Sequence, residues 1–84
     1  MKMSEVADFL TEKGVRPEIF AIDTVATNEV VVLYQEGPAR WVVFYAERGL
    51  RTDEKVYYTE EAACRDMTAR ALAMEDFSRA HKPK

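Results

Sequence analysis

The sequence predicts an α+β fold in two layers, α-β-β-β-α, with an antiparallel three-stranded meander and two helices on one face. Three observations predict it. Both ends of the chain carry apolar residues at the three-and-four spacing of a helix. The middle holds two runs of strong β propensity, Glu29–Gln35 and Arg40–Glu47, separated by Gly37-Pro38. Finally, 84 residues make a single domain, so these elements must share one small core.

In chain order, Ser4 is placed to cap a first helix. Met3, Val6, Phe9 and Leu10 fall on one face of it, Glu5 and Asp8 suit its dipole, and Gly14 stops it. Arg16-Pro17-Glu18 reads as a turn or a single helical turn starting at Pro17. Ile19, Phe20 and Ile22 follow as an irregular or edge segment tying the helix to the sheet, with turns at Asp23-Thr24 and Thr27-Asn28. A hairpin loop around Gly37-Pro38 puts Tyr34 opposite Trp41, Val32 opposite Val43 and Val30 opposite Tyr45 on one face. Leu33 then faces Val42 and Val31 faces Phe44 on the other. A slip of one residue would exchange the faces of one strand.

Arg48–Glu54 reads as a polar connection bending at Gly49, and residues 55–59 as the third strand. Thr59 caps the second helix, with Glu60 and Glu61 in its first turn and Cys64, Met67, Ala71 and Met74 as its apolar stripe. That helix runs to about Ser78. Residues 1–3 and 80–84 are expected to fray, the latter with the basic tail His81-Lys82-Pro83-Lys84. Both faces of the two central strands are apolar or aromatic, more than two short helices can cover. One face is therefore expected to meet a partner, a second copy of the chain, or the Ile19–Ile22 segment folded across it.

Composition narrows the function. The chain is 48% hydrophobic and 32% charged, as in a globular domain. One cysteine excludes an internal disulfide and suits a reducing, cytoplasmic setting. The amino terminus lacks the apolar core of a signal peptide, and no run is long enough to span a membrane. Net charge is −3: residues 1–36 carry seven acids against three bases, and residues 37–84 eight acids against nine bases. An acidic chain argues against a nucleic-acid partner and suits a basic protein.

No catalytic, cofactor or metal site is expected. His81 lies in the tail, Cys64 reads as a small buried hydrophobe, and one Cys with one His cannot assemble a zinc site. Glu60 and Glu61 point about 100° apart on a helix and do not share a site. The three glycines are scattered and form no phosphate-cradling loop. The element order is also that of double-stranded-RNA-binding domains. Those carry lysines at the start of the second helix, where this chain has Thr59-Glu60-Glu61.

The residues favoured for partner binding are acids and aromatics around the strand ends: Glu29, Glu36, Trp41, Tyr45, Glu47, Asp53 and Glu54. The acids would steer encounter and the aromatics would anchor it. Asp53 and Glu54, with Glu47 near, are expected to form an acidic patch, and Glu47-Arg48 a local ion pair.

The pattern W-V-V-F-Y-A-E-R-G, a polar loop, then K-V-Y-Y-T-E-E-A-A-C resembles small bacterial immunity proteins over roughly Arg40–Leu72. These are the antidotes encoded beside polymorphic toxins, including those of contact-dependent inhibition systems. The resemblance implies a non-enzymatic protein that binds a cognate toxin, for example a nuclease, and occludes its active site or substrate path. Toxin-binding residues differ among such proteins, so the resemblance assigns none. The alternative from another class is a homodimeric structural or regulatory interaction module.

Overall fold

A computed structural model describes residues 1–24, 29–48 and 50–80. The elements are α1 (Met3–Glu12), a 3-10 turn (Pro17–Ile19), β1 (Phe20–Ile22), β2 (Val30–Gly37), β3 (Arg40–Glu47), β4 (Leu50–Tyr57) and α2 (Glu60–Ala80). The fold is α+β with both helices on one sheet face. The sheet has four strands rather than three, in the order β1-β2-β3-β4. The addition is β1, which pairs parallel with β2 and makes the sheet mixed. Its side chains alternate as a strand requires: Phe20 and Ile22 join the core under the helices, and Ala21 joins the cluster on the opposite face. The Ile19–Ile22 segment thus extends the sheet edge and does not fold across a face.

α1 begins before Ser4. Glu5 accepts the Lys2 amide at 2.8 Å, and Glu60, from the first turn of α2, accepts the Met3 amide at 2.7 Å. Carboxylates therefore satisfy the Lys2 and Met3 amides, and Ser4 lies inside the first turn rather than capping it. At the other end Gly14 adopts φ 84, while the Val15 amide bonds Leu10 O at 2.9 Å and the Gly14 amide bonds Thr11 O at 3.1 Å. This is a Schellman stop, and Val15 is buried just beyond it.

The β2–β3 hairpin is shifted one residue from the expected pairing. Gly37 pairs with Arg40, so the corner is Pro38-Ala39, and the register shifts between Gln35 and Gly37. Proline's fixed φ suits the first corner position, and Glu36 becomes the extra residue of a bulge. Trp41 consequently faces Gln35, Val43 faces Leu33 and Tyr45 faces Val31. All three lie on the helix side, whereas Tyr34, Val42 and Phe44 lie on the other.

β4 begins at Leu50, well before the expected third strand. Glu47 pairs directly with Leu50, and Arg48 takes φ 51, so the supposed polar connection is mostly strand. Its polar composition reflects an edge position, since Leu50–Lys55 are all exposed. A second bulge, with Asp53 at φ 52, interrupts pairing opposite Phe44. The bend at Gly49, the turn at Thr27-Asn28 and the 81–84 tail lie outside the described residues.

Two apolar clusters flank the sheet. Val6 and Leu10 of α1 and Ala63, Cys64, Met67 and Ala71 of α2 pack on Val31, Leu33, Trp41 and Val43. The second cluster, Val30, Val32, Val42, Phe44 and Ala46, is also buried within the single chain, contrary to expectation. The Arg51 guanidinium lies 4.5 Å from the Phe44 ring centroid. It is held there by Glu54 at 2.9 Å and Glu36 at 3.8 Å, and Glu36 also binds Arg40 at 2.9 Å. The long Arg51 side chain thus covers Phe44 on the face that no described helix covers.

Candidate functional site

The start of β2 and the end of β3 meet because Val30 pairs with Ala46, and Thr52 of β4 joins them by pairing with Tyr45. Beside them Met74 of α2 closes one side. The result is an open groove of about 290 Å³ lined by Glu29, Val30, Tyr45, Ala46, Glu47, Thr52 and Met74. Its floor is mainly apolar, and the exposed Glu29 and Glu47 stand at its rim. Among the described residues neither carboxylate has an ion-pair partner, and Glu47 does not pair with Arg48. Of the seven residues favoured by sequence, the groove gathers Glu29, Tyr45 and Glu47.

Tyr45 is held from behind. The Arg70 guanidinium lies 5.0 Å from its ring centroid. Arg70 is only 7% exposed, and this burial of a charge requires partners. Its Nε donates to Asp66 Oδ1 at 3.0 Å, and its Nη2 lies 3.9 Å from Asp53 Oδ2. The Tyr57 hydroxyl donates to the other Asp66 oxygen at 2.6 Å. Burial first, and then this hydrogen bond, push the Tyr57 phenol up to about 12. Among the described residues Arg70 Nη1 is buried without a hydrogen-bond partner. The network fixes α2 against β3 and β4, and with both Asp66 oxygens engaged it offers no free base.

The remaining favoured residues lie elsewhere. Glu36 and Glu54 share Arg51 over the second sheet face. Asp53 reaches toward Arg70 from the bulge, so Glu47, Asp53 and Glu54 do not form one patch. Trp41, 8% exposed, packs beneath the helices, and its Nε1 is buried without a partner. Sequence reasoning did not single out Arg70, Asp66 or Thr52 for a site. The i,i+4 spacing of Asp66 and Arg70 was a usable sign of the ion pair, but not of its burial. A second buried charge, Glu75, accepts the Arg16 amide at 3.0 Å and Arg16 Nε at 3.2 Å, tying α2 to the Pro17–Ile19 turn.

Cys64 is buried, and burial pushes its thiol up, away from the thiolate form. Among the described residues no group of three or more His, Cys, Asp or Glu side chains could hold a metal ion. Nor is any described helix long and apolar enough to cross a membrane. His81 lies outside the described residues. No family model, curated protein or solved structure matches this chain.

Proposed function

We propose that this chain is a non-enzymatic immunity protein that binds a cognate bacterial toxin domain and neutralises it by occluding its active site or substrate path. The observation that carries this reading is the groove between β2 and β3, where Glu29 and Glu47 have no ion-pair partner among the described residues and stand around an apolar floor. Unpaired acids beside a shaped apolar surface suit a basic protein partner, steering encounter and fixing register. Toxins that act on nucleic acid present such basic surfaces. The resemblance of Arg40–Leu72 to immunity proteins points the same way.

The test is co-expression with the toxin-like reading frame beside this gene. The expected outcome is restored growth and a stoichiometric complex. A neighbour that remains lethal, or the lack of any toxin-like neighbour, sinks the proposal. The homodimer reading drew its support from an uncovered apolar face. The cluster on that face is buried within the chain and Arg51 lies over Phe44, which weakens that support.

A further inference from the structure

We propose that the Glu29–Glu47 groove receives a single lysine or arginine side chain from the partner protein. This deepens the immunity reading and rests on it. The open groove, about 290 Å³, has room for a single long side chain. The lining divides as a basic side chain does. Met74 and the Tyr45 ring, on the helix side, supply apolar surface for the methylene stem above the paired Val30 and Ala46 strand backbone, while Glu29 and Glu47 supply charge for the head.

The cation already present does not oppose a second one. Arg70, against the Tyr45 ring, is balanced by Asp66 at 3.0 Å and faces Asp53 at 3.9 Å. Glu29 and Glu47, by contrast, have no cation among the described residues, although Arg48 is adjacent in sequence. They differ in this from Glu36 and Glu54, which the chain's own arginines occupy. The protein therefore spends most of its strand-end acids internally and leaves two at the groove.

The experiment titrates isotope-labelled protein with acetyl-Gly-Arg-Gly amide and acetyl-Gly-Lys-Gly amide, with the norleucine tripeptide as the uncharged control. The expected result is saturable shifts at the Ala46 and Thr52 amides and the Met74 methyl with the basic peptides only. Those shifts should vanish in the Glu29→Gln/Glu47→Gln variant, whose exposed positions leave the fold intact. No shift, or equal shifts from the norleucine peptide, overturns the proposal. The titration needs no toxin, so it can fail while co-expression still restores growth. Co-expression of the double variant adds a second check. A toxin affinity reduced about tenfold or more agrees with the groove, and unchanged affinity refutes it while leaving the immunity reading intact.

Discussion

Tyr57 illustrates how one residue acquires properties from its surroundings. In sequence it is one of two adjacent tyrosines at a strand end. In the fold its hydroxyl meets Asp66 beside the buried Arg70, whereas Tyr58 is 69% exposed. Its phenol is raised from near 10 to about 12, so the folded state holds the proton more tightly than the unfolded chain. The stabilisation is complete below pH 10 and is lost as pH rises toward 12. We expect denaturant stability to fall across that window, and Tyr57→Phe to flatten the fall while removing a late-ionising phenol from the ultraviolet titration. Trp41 gives a similar contrast. Its type suggested an interface anchor, but strand register turned it toward the helices.

At the scale of elements, local chemistry predicted ends better than partners. Thr59 caps α2 as its sequence indicates, accepting the Ala62 amide at 3.2 Å through Oγ1. Thr59→Ala should lower stability by about 1 kcal/mol in urea unfolding, while Thr59→Ser should retain most of it. The Gly14 stop and the limits of β3 were equally legible, because glycine conformation and β-branched runs act within a few residues. The hairpin register was not. It depended on which two residues formed the corner, and Pro38 with a bulge at Glu36 moved the corner by one. β4 was hidden because an edge strand needs no apolar alternation, and Leu50–Glu54 reads as a loop until it is paired. β1 was legible as an edge segment but not as a strand, because three residues show too little periodicity.

For the whole molecule, the question is how so small a chain keeps an apolar sheet face from water. Arg51 lies on Phe44, with Glu54 and Glu36 holding the guanidinium in place. Exposed ion pairs contribute little stability themselves, so the main effect of this network is to shield apolar surface. Arg51→Ala should uncover Phe44 and produce a dye-binding, self-associating variant, while the parent sediments as a monomer. If the parent itself dimerises and the variant behaves identically, this face is an interface rather than a shielded surface. The candidate groove also belongs to this scale. It is built from three strands and a helix whose residues span Glu29 to Met74, and no local segment contains it.

The sequence by itself determined the α+β class, both helices with the Gly14 stop of the first and the Thr59 cap of the second, the two central strands, and the excess of acids over bases before the hairpin. These follow from propensity, caps and periodicity, which act over a few residues. Only the tertiary structure decided that Trp41 is core, that Arg70 and Glu75 are buried charges, and that Glu36 and Glu54 are occupied. It also decided that Glu29 and Glu47 stand at one groove without an ion-pair partner among the described residues. The physical reason is that charge pairing and burial depend on distances set by register, and a shift of one residue changes which side chains face each other.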